Sequence, residues 1–161
     1  MNSIENLKRW IVASFWNELK GRLTGAPLFV EGDDRLTNRL ANFFELRIDG
    51  PYTKPYGSKG EYCSYIEVNI LATSTRDESN RFSKENMQGV AAQALNKDFC
   101  IYKTGNVGKD AEDDQSLVGV MRLLPVDAIK TSDFGQIDSN TNVYQSVTEA
   151  HYEMHYYLES A

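Results

Sequence analysis

The spacing of apolar residues changes along the chain, and each change marks an element. Ile4, Leu7, Ile11, Phe15, Leu19 and Leu23 recur in steps of three and four, which lays an apolar stripe along one side of an α-helix. Asn2 followed by Glu5 has the spacing of a capping box, and Gly21 is a stop signal. Trp10 and Trp16 fall beside the stripe, so they either widen the buried face or meet a partner.

Beyond Gly25 the period becomes two. "APLFVE" has the length and residue types of a short strand, whereas the polar "GDDRLTNRLAN" is ambiguous between a short helix and a loop. Phe44, Leu46 and Ile48 alternate with Glu45, Arg47 and Asp49, so Phe43 to Asp49 reads as a half-buried strand. "DGPYTKPYGSKGE" carries two prolines and three glycines and reads as a long turn or loop. After it, Tyr62, Ser64, Ile66, Val68 and Ile70 form one face of a strand, and Glu61, Cys63, Tyr65, Glu67 and Asn69 the other. Two strands joined by one loop predict an antiparallel hairpin.

The polar "TSTRDESNR" then precedes a second helix over Phe82 to Asn96, with Met87, Val90, Ala91, Ala94 and Leu95 as its apolar stripe. Ser79 or Asn80 can cap its start and Asn96 can end it. "FCIYK" is a short strand, "TGNVGKDAEDDQ" an acidic loop, and Ser116 to Val126 a strand stopped by Pro125. "AIKTSDFGQIDSNTN" reads as a loop, and the last strand runs from Val143 to Leu158. This order lacks regular β-α alternation. It predicts one α+β domain over residues 1–161, a mainly antiparallel sheet of five to six strands packed with two helices.

Composition sharpens this picture. Nine tyrosines, seven phenylalanines and two tryptophans argue for a packed core, and 161 residues suffice to build one without a metal or disulfide. The two cysteines, Cys63 and Cys100, lie in separate apolar segments without Cys-x-x-Cys spacing. They read as small core residues of a reduced, intracellular protein. Charges at Glu5, Lys8, Arg9 and Glu18 interrupt the N-terminal segment, so neither a secretory leader nor a membrane span is expected there. A formal net charge of −6 disfavours tight nucleic-acid binding, which needs clustered cations to displace counterions from phosphate.

Candidate chemistry centres on "EAHYEMHYYLE", which holds both histidines, His151 and His155. The zinc-protease helix needs glutamate directly after its first histidine, whereas Glu153 stands one place further on. Ala150, Tyr152, Met154, Tyr156 and Leu158 alternate with Glu149, His151, Glu153, His155 and Glu159 apart from Tyr157, which is the period of a strand. There the histidines share a face about 13 Å apart and cannot hold one metal without help from another strand. Glu153 with either histidine remains geometrically possible, but no metal or cofactor is expected. Asp110, Glu112 and Asp114 alternate as in a calcium loop, yet Gln115 and Met121 stand where that loop needs glycine and glutamate. With Asp113 they read as a solvated acidic loop. No nucleophile elbow, phosphate loop or dinucleotide fingerprint is present, so no catalytic residue is assigned and no enzyme is expected.

Taken together, the leading helix, the hairpin "FFELRIDGPYTKPYGSKGEYCSYIEVNILATS", the helix "RFSKENMQGVAAQAL" and the closing "VYQSVTEAHYEMHYYL" resemble the tail terminator, or tail-completion, proteins of long-tailed bacteriophages. The resemblance spans Ile4 to Leu158. It implies a structural virion protein assembled in the host cytoplasm, which forms a hexameric ring at the head-proximal end of the tail. Such a ring ends tail-tube polymerisation and docks the tail to the neck or head-tail connector, and genomic double-stranded DNA passes through its lumen without specific binding. An acidic lumen, to which Asp110, Glu112, Asp113 and Asp114 contribute, would suit that conduit. Tyr52 and Tyr56 are candidate interface anchors, as are His151 and His155 on their polar strand face. Alternatives are another neck or connector protein, a small metal-dependent enzyme using His151 or His155, and a monomeric binding module using the "GPYTKPYGSKGEY" loop.

Overall fold

The computed structural model describes residues 4–31, 42–75, 83–103, 116–125, 128–136 and 143–158. Asn2, the segment 32–41, the helix-capping candidates Ser79 and Asn80, and the acidic loop with Asp110, Glu112, Asp113 and Asp114 lie outside these residues.

Two 15-residue strands carry the fold. β3 (Glu61–Thr75) and β7 (Val143–Tyr157) pair antiparallel over their whole length, from Glu61 opposite Tyr157 to Thr75 opposite Val143. On one side β3 pairs antiparallel with β2 (Phe43–Pro55), to which the short β1 (Leu28–Val30) adds in parallel. The far edge of β7 is shared: β6 (Lys130–Gln136) takes its N-terminal half, and β5 (Leu117–Leu123) pairs at Glu153 and Tyr152, with β4 (Phe99–Tyr102) beyond it. The result is the expected α+β architecture, a mostly antiparallel sheet with seven strands among the described residues where five to six were expected.

Both helices lie on one face of this sheet. α1 (Leu7–Leu19) follows a 3-10 turn at Ile4–Asn6 and buries Leu7, Trp10, Ile11, Phe15 and Leu19. α2 (Ser83–Leu95) buries Met87, Ala91, Ala94 and Leu95. They meet Phe44, Leu46 and Ile48 of β2, Ile66, Val68 and Ile70 of β3, and Ala150, Tyr152 and Met154 of β7. The period-two residues of three strands thus form one floor, since alternate side chains of a strand share a face. At its centre Phe15 stacks on Phe99 at 4.2 Å, and Tyr152 meets both rings edge-on. The buried Tyr152 hydroxyl donates to the Leu95 carbonyl at the end of α2, which satisfies one of the helix's orphan acceptors. Gly119 of β5 admits this packing: a Cβ there would lie 2.8 Å from Met154 Sδ.

Several expectations change. Ile4 is exposed, so the buried stripe begins at Leu7, and Trp10 belongs to the core while Trp16 packs at its margin. Asn6 occupies the N-cap of α1, but its side-chain oxygen accepts from Arg9 instead of capping the helix. Cys63 is buried, whereas Cys100 is exposed, because Phe99 and Ile101 take the inward positions of that strand. "TSTR" does not break the third strand at once, since β3 continues to Thr75 opposite Val143.

The expected long loop after Asp49 is mostly strand. β2 continues to Pro55 through a bulge between Asp49 and Tyr52, and the connection is only the turn around Gly57 and Gly60. Gly50 makes the bulge feasible, with φ at +101° and the following Gly50–Pro51 bond cis. The Lys8 ammonium donates to the carbonyls of Ile48 and Gly50 there, supplying donors where the ladder is interrupted. Burial pushes the Lys8 pKa down, opposed by the charges of Asp49 and Glu31. The expected loop at residues 128–142 likewise contains β6, a polar strand ordered by the free edge of β7 and by an ion pair of Lys84 with Asp133 at 2.7 Å.

Gly50→Ala is expected to destabilise the protein by about 1–3 kcal/mol, because it strains a positive φ and brings Cβ within 2.8 Å of the Tyr65 carbonyl. Urea unfolding reads this directly, and an unchanged midpoint would refute the account of the bulge.

Candidate functional site

With the helices on one face, the chemistry gathers on the other. β3 turns Cys63, Tyr65, Glu67 and Asn69 outward, and β7 turns Glu149, His151, Glu153 and His155 outward beside them. Register decides the neighbours: Cys63 is opposite His155, Tyr65 opposite Glu153, Glu67 opposite His151 and Asn69 opposite Glu149. Directly opposed Cβ atoms lie about 5 Å apart, so two strands that are each only polar on this face together build compact donor groups.

The first group is Cys63, Glu153 and His155. The Cys63 sulfur lies 3.5 Å from Glu153 Oε1 and 3.7 Å from His155 Nε2, and His155 Nε2 also contacts Glu153 Oε1. Burial and the adjacent Glu153 carboxylate push the Cys63 thiol pKa up, against smaller opposing effects of Tyr65 and Lys54. The second group is Glu67, Glu149 and His151, in which His151 Nε2 lies 2.8 Å from Glu149 and 3.9 Å from Glu67. A hydrogen bond with Glu149, together with burial, raises the Glu67 pKa, and the same bond with the help of His151 lowers that of Glu149. Like charges on adjacent strands repel, and the opposite shifts mean that Glu149 ionises before Glu67 as pH rises. Within each group all donor atoms lie within 4.8 Å of one another.

The four sequence-selected residues that are described share this side of the sheet. The Tyr56 ring packs edge-on against His155 at 4.8 Å, and Tyr52, opposite Tyr65, donates its hydroxyl to Asp49 at 3.0 Å. His151 and His155 are not brought together: each belongs to its own donor group. Sequence reasoning placed Cys63 in the core and gave no role to Glu67 or Glu149. Their signal was present in the polar face of the third strand, but its meaning depended on knowing which strand lies alongside and in what register.

Neither a family model nor a curated protein matches the chain. A solved structure whose designation states no function resembles it with a TM-score of 0.52 and 12% identity, over 94% of this chain and 98% of that one. At that identity the likeness concerns the fold alone.

The raised Glu67 pKa has a measurable consequence. A carboxyl whose folded pKa is raised contributes stability below its unfolded value near 4.3 and loses it as pH rises through the folded value. Glu67→Gln, permanently neutral, should therefore stabilise the protein at pH 7 by about 0.2–1 kcal/mol through relief of repulsion. The gain should shrink towards zero below the ordinary carboxylate range, where wild-type Glu67 also holds its proton. Denaturant unfolding at neutral and acidic pH tests this, and a destabilised variant at pH 7 would contradict it.

Proposed function

We propose that the protein is a non-catalytic, ring-forming component of a bacteriophage tail, acting at the head-proximal end as a tail terminator. The observation that carries this reading is a set of large exposed aromatic side chains at one end of the central sheet. Tyr52 near the end of β2, Tyr56 in the following turn and Tyr157 at the end of β7 are 61%, 53% and 58% exposed. Tyrosines left in water on a chain with a well-filled core suit an interface with other subunits, where this residue type is enriched.

Three further features support the reading. The leading helix, long hairpin, second helix and closing aromatic strand, on whose order the resemblance rests, are all present as elements. The short edge strand β1 offers backbone groups that a neighbouring subunit can pair or cover. The net charge of −6 suits a channel that lets DNA pass without holding it. The partners would be further copies of this chain, the tail tube protein and a neck or connector protein.

Size exclusion with light scattering, alone and with the tail tube protein, followed by negative-stain imaging, tests the proposal. A closed ring of about six copies is expected, dispersed when Tyr56 and Tyr157 are both replaced by serine. A strict monomer that ignores both the tube and the connector protein would overturn it.

A further inference from the structure

We propose that Cys63 of β3 with Glu153 and His155 of β7 forms a binding site for one zinc-like divalent cation. Thiolate, imidazole and carboxylate are the three side-chain types that zinc takes in tetrahedral coordination. Bond lengths of about 2.3 Å to sulfur and about 2.1 Å to nitrogen or oxygen place tetrahedral ligand atoms roughly 3.4–3.6 Å from each other. The sulfur already stands 3.5 Å from Glu153 Oε1 and 3.7 Å from His155 Nε2. Only the contact between His155 and Glu153 must lengthen, and the His155 side chain, 49% exposed, is free to turn outward.

The surroundings also suit such a site. Cys63 is held at 1% exposure on a central strand paired on both edges, so its sulfur is a fixed anchor. The Tyr56 ring packs edge-on against the imidazole, leaving its other side to solvent. Such outer contacts orient metal ligands. The fourth position faces solvent, where water can complete the tetrahedron. The Glu67, Glu149 and His151 group lacks a thiolate and belongs to harder, weaker ligation.

Titration of the metal-free full chain with Co²⁺ alone is the test, because a thiolate ligand gives an intense sulfur-to-cobalt absorption band in the near ultraviolet. One equivalent should produce the band and tetrahedral visible absorption, and Zn²⁺ should displace both. Cys63→Ser should abolish the band and weaken zinc binding by more than about 100-fold, beyond the usual cost of losing an outer-shell partner. His155→Gln, at an exposed position, should weaken binding while leaving the circular dichroism of the fold unchanged, so the ligand role is tested even if Cys63→Ser fails to fold. Cys100→Ser and His151→Ala should leave the band intact. Absence of the band in the wild type, its loss in Cys100→Ser, or unaltered zinc affinity in His155→Gln would overturn the assignment.

Discussion

The antiparallel pairing of β3 with β7 is the constraint on which the rest of the structure depends. Fifteen residues of each strand face one another without a shift in register, from the hairpin end at Glu61 and Tyr157 to Thr75 and Val143. Because side chains alternate strictly, one register fixes both faces at once. A slip of one residue would turn Tyr152 and Met154 into water and drive His151 and Glu153 into the core. The aromatic centre of Phe15, Phe99 and Tyr152 opposes any such slip, since the Tyr152 hydroxyl also holds the end of α2.

The same register that secures the core creates the outer chemistry. Glu67 and Glu149 come close enough to shift each other's pKa in opposite directions, and Cys63 comes within reach of Glu153 and His155, although about ninety residues separate Cys63 from either. Neither group costs the fold its packing, because both occupy the face that the helices leave open. The Cys63, Glu153 and His155 group lies at the hairpin end, beside Tyr56, and the Glu67, Glu149 and His151 group lies further along the same sheet.

Unlike the β3–β7 pairing, the β2–β3 pairing is interrupted. The bulge at Gly50 re-phases β2 so that Tyr52 and Lys54 join the outer face opposite Tyr65 and Cys63. Lys8 reaches from α1 to the Ile48 and Gly50 carbonyls and ties the helix layer to this discontinuity. A tyrosine and a cation thereby enter the neighbourhood of the donor groups from a segment whose prolines and glycines read locally as a loop.

The amino-acid sequence by itself determined the helices, the strong strands and the α+β class, because these follow from local periods: three to four along α1 and α2, two along β2, β3 and β7. It also determined that "HYEMH" lies on a strand and that its histidines stand too far apart to share an ion. Tertiary structure decided the rest. Whether Lys130–Gln136 becomes a strand depends on an open edge of β7, and whether Pro51 ends β2 depends on a bulge served by Lys8 from another element. Each histidine's nearest carboxylate lies two residues away on β7, but the remaining donor of each group, Glu67 or Cys63, comes from β3, and no local pattern states which strand will lie alongside another or in what register. Cross-strand neighbours are a property of the pairing, and the pairing is set by burial of the opposite face.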